Sequence, residues 1–201
     1  MEKPADNNHP IHDLLAKRWS PLAFADRPVE RSALLSLLEA ARWSPSSYNE
    51  QPWRFLLATK NDPENFAKAL SCLTEGNQPW AQNAPVLLLT LASTKFERNG
   101  KPNRHAFHDV GLAIGSLTLQ ATELGLVLHQ MAGIIPDKVR VAFGVPESFD
   151  PVTAIAIGYP GDAGQLPPEL QKRESSPRAR RPLESFVFGG RFDEPSSVVS
   201  G

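Results

Sequence analysis

Disulfides are excluded first: of 201 residues only Cys72 is a cysteine, so no internal bridge can form. A lone thiol is most often a buried apolar filler, and that is the expectation here. Charge of one sign is also lacking. With 21 basic and 22 acidic residues the net charge is −1, which gives no basic face suited to DNA, RNA or an anionic membrane. No polar-free run long enough to span a bilayer occurs. The most apolar stretch, "VGLAIGSLTLQATELGLVL", is interrupted by Gln120 and Glu123 and preceded by Asp109, so it reads as a buried helix. The first ten residues, "MEKPADNNHP", have no apolar run after their basic residue and offer no secretory signal, which makes a cytoplasmic protein the expectation. Internal repeats are missing, as are a P-loop, a G-x-S-x-G elbow and an H-E-x-x-H pair, while "GLAIG" lacks the third glycine and preceding strand of a dinucleotide fold.

What is present is a regular succession of amphipathic segments. "PIHDLLAKRWSP" puts Ile11, Leu14, Leu15 and Arg18 at helical spacing and delivers Arg18 and Ser20 at its end. "PVERSALLSLLEAARWSP" repeats the pattern with Leu34, Leu37, Leu38 and Ala41, and Pro45 forces Ser44 out of the helix, so "SPSSYNEQPW" is a post-helix loop. "WRFLLAT", "APVLLLTLAS", "LGLVLHQMAG" and "DPVTAIAIGYPG" read as strands, the second covered on both faces. "PENFAKALSCL" and "PDKVRVAFGVP" read as helices, the latter closed by Gly144 and Pro146. The longest helix runs from about His105 to Leu124, and its small residues Gly111, Ala113, Gly115, Ser116 and Ala121 invite close approach by another helix. From Asp162 the composition turns to Pro, Arg and Glu, and "LESFVF" is the segment suited to join a sheet, in this chain or a partner. The expected organisation is one α+β domain over 1–161 with an extension over 162–201.

Two sets of side chains bear on chemistry. His105 and His108, three apart on a helix face, have a spacing that suits a metal, but no third ligand accompanies them and a polar helix end is the simpler reading. The second set suits a flavin mononucleotide. Arg18 and the cluster Arg178, Arg180 and Arg181 offer guanidiniums to a phosphate, and Ser20, Ser46, Ser47 and Asn49 offer hydroxyls and an amide to a ribityl chain. Each alone would be a turn or a solvated charge; their combination carries the reading.

In order and spacing, the blocks "KRWSPLAF", "ARWSPSSYNEQPWRF", "GNQPWAQNAPVLLL", "HDVGLAIGSLTLQATELGL", "HQMAGI" and "RARRPLESFVFGGRF" resemble the nitroreductase family of FMN-dependent oxidoreductases. The resemblance implies an α/β/α sandwich around a central, mostly antiparallel sheet, a homodimer with FMN at the interface, and a C-terminal extension packed on the partner subunit. It also implies cofactor contacts: Arg18, Trp19 and Ser20 on the phosphate and ribityl side; Pro45, Ser46, Ser47 and Asn49 reaching the flavin of the other subunit; the backbone of Gln130, Met131, Ala132 and Gly133 near the flavin N5; and Arg178 and Arg180 at the phosphate. Asn77 is a further contact on the same grounds. Ala132 stands where some members carry a glutamate, and Leu22 where a basic residue is usual, a role the C-terminal arginines can take. The implied activity moves reducing equivalents from NADH or NADPH to an electron-poor acceptor, a nitroaromatic or a quinone, by a ping-pong course with no side-chain acid or base. Dehalogenation, enone reduction, flavin cleavage and non-catalytic FMN binding are the alternatives on the same architecture, with a flavin-free domain behind them.

Overall fold

A computed structural model describes residues 3–200. Seven α-helices and four strands follow in the order α1 (Asp13–Lys17), α2 (Arg31–Arg42), β1 (Trp53–Thr59), α3 (Pro63–Ser71), α4 (Gln78–Ala81), β2 (Val86–Ser93), α5 (Ala106–Glu123), β3 (Val127–Met131), α6 (Pro136–Phe143), β4 (Phe149–Gly158) and α7 (Pro168–Ser175). The strands form one sheet in the order β1-β2-β4-β3, with every neighbouring pair antiparallel. Strand β2 is buried along its whole length, as its unbroken apolar run requires of a central strand covered on both faces.

The period-2 alternation divides the core. Leu87, Leu89, Ala154, Ala156 and Met131 point to one side, where α3, α4 and α6 supply Phe66, Ala69, Trp80, Ala81 and Val139. Val86, Leu88, Ile155, Ile157 and Leu128 point to the other, where α2 and α5 supply Leu37, Ala41, Val110, Ile114 and Leu117. Each fully buried leucine in β2 contributes about 1.5–3 kcal/mol by leaving water. Where Thr90 interrupts the apolar run, its hydroxyl accepts a hydrogen bond from the Thr153 amide at 3.1 Å, and the register shifts at the next residue. Cys72 is buried, as expected of a filler, and burial pushes its thiol pKa up.

Several expectations need correction. The first helix starts at Asp13 rather than at Pro10, because His12 caps it through its ring nitrogen; Ile11 lies outside and is exposed. "LESFVF" forms no strand of this chain's sheet: Leu183–Ser185 is a single 3-10 turn and Phe186 is exposed. The Pro- and Glu-rich run after Asp162 contains α7, whose Leu170 packs on the core and whose Glu174 is buried. Among the described residues no helix is long and apolar enough to cross a membrane.

Candidate functional site

Edge strand β3 links two polar corners. At its start lies the end of α1. Pro21 stops that helix, and Arg18 becomes its last capped residue, with its amide donating to the Leu14 carbonyl at 3.0 Å and its guanidinium to Ser20 Oγ at 3.2 Å. Trp19 lies beneath the Lys3 ammonium, 5.3 Å from its ring centre. From the far end of the chain comes Arg178, donating to the carbonyl oxygens of Lys3 and Ala16. Arg18, Ser20, His129, Arg173, Arg178 and Arg180 line one cavity of about 250 Å³. Burial lowers the pKa of Arg18, and the charges of Arg178 and Arg180 lower it further. Among the described residues none of the ion pairs includes Arg18, Arg178 or Arg180. Arg18, Arg173, Arg178 and Arg180 share the cavity with a single carboxylate, Glu174, whose oxygens are engaged by the Leu22 and Ala23 amides, so the guanidiniums are left to form a receptor for an anion of multiple charge.

Two residues at this corner escaped the sequence reading. His129, on β3, places Nδ1 2.9 Å from the Pro21 carbonyl and packs its ring against Trp80 at 4.6 Å. Burial holds its pKa below the usual histidine range; Arg173 adds to the effect, and the Pro21 and Ser20 carbonyls oppose it. Glu174, 3% exposed, accepts from the Leu22 amide at 2.9 Å and the Ala23 amide at 3.4 Å. A glutamate within a polar run and a histidine within a strand look solvated and structural in sequence, and only tertiary packing reveals their partners.

At the C-terminal end of β3, just beyond His129, lies the second corner. Gln130 and Ala132 are exposed, while Met131 enters the core. The Gly133 carbonyl accepts from the Thr74 amide at 3.0 Å and from Asn77 Nδ2 at 3.2 Å. A β-carbon at 133 would lie 2.4 Å from Asn77 Nδ2 and 2.6 Å from Thr74 Oγ1, so a larger residue there would push both side chains aside and break these contacts. The structure therefore brings Asn77 to the Gln130–Gly133 segment.

The loop after α2 is elsewhere. Ser44 Oγ donates to Ser116 Oγ at 2.7 Å, the Ser47 amide donates to buried Asp109 Oδ2 at 3.0 Å, and the Gln51 amide to Ser46 Oγ at 3.0 Å. Pro45 and Asn49 face solvent. Tyr48, Asn49 and Gln51 have φ of 55°, 56° and 52°, the left-handed region that costs non-glycine residues energy. Exposed Tyr48 is held between Phe96, edge-on at 6.0 Å, and the Arg98 guanidinium, 4.0 Å above its ring. Asp109 is in the first turn of α5, whereas Thr118 and Thr122, near the other end, share a cavity with Arg18 and Trp19. The loop and the arginines are thus separated by roughly 14 Å along the axis of one helix. Within one chain the sequence-predicted residues fall into two groups: Arg18, Trp19, Ser20, Arg178, Arg180 and the β3 segment along one edge, and the Pro45–Asn49 loop apart from it. His105 and His108 sit beside that loop, where His108 Nδ1 is 3.0 Å from Asp109 Oδ1.

Comparison with known proteins gives a consistent neighbourhood. The sequence profile of the Nitroreductase family matches residues 15–75 and 60–159. A crystal structure described as the oxidoreductase containing FMN superposes with a TM-score of 0.87 at 38% identity, covering 93% of this chain and 95% of that one. An FMN-dependent nitroreductase from Clostridium difficile superposes at 0.64 with 27% identity, covering 74% of this chain and 87% of the other. A Bacillus subtilis protein called FMN reductase (NAD(P)H) is 28% identical, over 74% of this chain and 65% of its own length.

Proposed function

The chain belongs to the nitroreductase family, and from that premise we propose that it binds FMN along β3 and passes reducing equivalents from NADH or NADPH to a nitroaromatic or a quinone. Membership makes it an NAD(P)H-dependent flavin oxidoreductase of the nitroreductase type. The observation that carries the proposal is the unpaired triad Arg18, Arg178 and Arg180 at one end of an open strand edge. A phosphate dianion fits that triad; a neutral ligand would leave its mutual repulsion uncompensated.

FMN, when bound, would supply hydride and electron transfer between a nicotinamide and the acceptor. The chain's own residues bind and orient. Arg18, Arg178 and Arg180 neutralise the phosphate, Ser20 supplies a hydroxyl beside it, and Trp19 belongs to the same wall. Gln130, Met131, Ala132 and Gly133 present main-chain groups to the ring system, with Gly133 held by Thr74 and Asn77. No carboxylate stands at Ala132, so proton delivery from that position is ruled out.

A second copy completes the site in this reading. On α5, Phe107, Gly111, Leu112 and Gly115 face outward, a stripe whose glycines let another helix come close. Pairing through that stripe gives the Pro45, Ser46, Ser47 and Asn49 loop a partner's flavin to reach, and residues 162–201 act as an extension of the one domain, α7 packing on its own core and the segment beyond α7 embracing the partner. A cytoplasmic location, where NAD(P)H is plentiful, suits the donor. The test is direct: cofactor released by acid from purified protein is expected to be FMN, and double-reciprocal plots with NAD(P)H against a quinone or nitroarene are expected to be parallel. Release of FAD, or intersecting lines at saturating FMN, refutes the reading.

A further inference from the structure

Glu174 is a carboxylate in an unfavourable place for its own helix. It lies in the last turn of α7, where the helix dipole disfavours negative charge by a few tenths of a kcal/mol or more, and it is almost fully buried, which costs several kcal/mol unless its oxygens are satisfied. Both are. Oε2 accepts from the Leu22 amide at 2.9 Å and Oε1 from the Ala23 amide at 3.4 Å, 152 and 151 positions away in the chain. Its main-chain carbonyl accepts from Lys3 Nζ, which also donates to the Ser176 carbonyl at 2.8 Å. Arg178, four residues on, donates back to the carbonyls of Lys3 and Ala16. The two arms of the arginine cluster are therefore cross-tied, by Arg178 at Ala16 on one side of Arg18 and by Glu174 at Leu22 and Ala23 just past Ser20.

The geometry points to Glu174 as the positioning residue that sets the spacing of the phosphate-binding arginines, by pinning the Arg18-Trp19-Ser20 arm to the root of the Arg178-Arg180 arm. Like charges in a shared cavity push their carriers apart, and a phosphate receptor works only if its donors are held in place before the ligand arrives. Leu22 supplies no side-chain cation here; its side chain is buried in the core, and the arm is fixed through its main chain instead. Glu174 does this without neutralising the guanidiniums, since its oxygens point at backbone amides and it forms no ion pair with them.

This inference rests on the FMN reading, and the experiment separates the two. Dissociation constants for FMN and for riboflavin, which lacks the phosphate, are measured by flavin fluorescence on the cofactor-stripped protein and on Glu174→Ala and Glu174→Gln. Wild-type protein is expected to prefer FMN by about tenfold or more, the gain of one or more charge-assisted contacts. Glu174→Ala is expected to bring that preference within about twofold. Glu174→Gln, which keeps one acceptor oxygen for the shorter bond to Leu22, is expected to fall between and so to act as a partial rescue; it carries the test alone if the alanine variant does not fold. A lower unfolding midpoint with an unchanged FMN-to-riboflavin ratio would mean that Glu174 only stabilises the fold, and the inference is overturned. Wild-type protein that does not prefer FMN overturns the flavin reading, and this one with it.

Discussion

His129 shows how the arginine corner trades stability for order at the scale of a single residue. Its pKa lies below the ordinary value of about 6.5, first because of burial, then because of Arg173. The unfolded chain therefore binds a proton at a pH where the folded chain does not. Stability is complete above the unfolded pKa and is lost as pH falls from there toward the folded pKa, with a slope of at most about 1.4 kcal/mol per pH unit. Denaturant unfolding of the FMN-free protein between pH 7 and 5 is expected to show that loss, and His129→Gln is expected to flatten it, whatever the variant does to absolute stability. An unchanged slope would assign the pH dependence to other groups. The residues that make up the corner were unequally visible beforehand. Arg18 and Ser20 stand in a short block at a helix end, where their types suggest a phosphate. Glu174 and His129 are defined by partners more than a hundred positions away, and no local pattern marks such a partner.

At the scale of elements, α5 carries the clearest prediction. Ala113, Ile114, Leu117 and Ala121 pack inward and Ser116 meets Ser44 in the loop after α2, but added β-carbons at Gly111 and Gly115 would touch nothing within the chain. Glycine inside a helix costs roughly 1 kcal/mol relative to alanine, and a free-standing chain gains nothing for that cost. If the stripe is a contact between copies, Gly115→Leu should elute as a monomer in size-exclusion chromatography and lose FMN, although the single chain has room for the side chain. A dimeric Gly115→Leu protein would place the contact elsewhere. Elements with a strong period were legible: β2 from its unbroken apolar run, α2 from its leucine stripe, α5 within a residue at each end. Helices α4 and α7 were not. The first is four residues long, and the second is polar: its inward face carries partly buried Leu170 and buried Glu174, four apart, so a glutamate breaks the apolar stripe a reader would look for. "LESFVF" differs in the opposite way: its β-prone residues add to no strand of this chain's sheet, and Leu183–Ser185 settle as a 3-10 turn.

The whole molecule is tested by asking which chain supplies what. Arg18 and the Asn49 loop lie apart in one subunit, so the proposal gives them to different flavins. Chains carrying Arg18→Glu or Asn49→Asp should each form dimers with two damaged sites. Asn49→Asp is the suitable partner because aspartate tolerates the left-handed backbone at φ 56° and spares the loop. In a mixed dimer one site collects both defects and the other has neither, and random pairing makes about half of all dimers mixed, so about a quarter of all sites should recover under two-fold symmetry. Flavin titration of jointly refolded chains reads that fraction; no recovery from demonstrably mixed dimers would place both residues on one chain's flavin, or on none. The cross-tie between Glu174 and the Leu22-Ala23 amides also has a consequence during synthesis. A ribosome adds roughly 5–20 residues each second, so those two amides, made early, stay without their acceptor until a further 151 residues have been joined. Sheet and helices up to β4 can collapse before α7 is made, but the arginine corner closes last; if that corner takes the FMN phosphate, cofactor loading would be the finishing step of the protein's manufacture, and a chain cut short before α7 should emerge folded in outline and colourless.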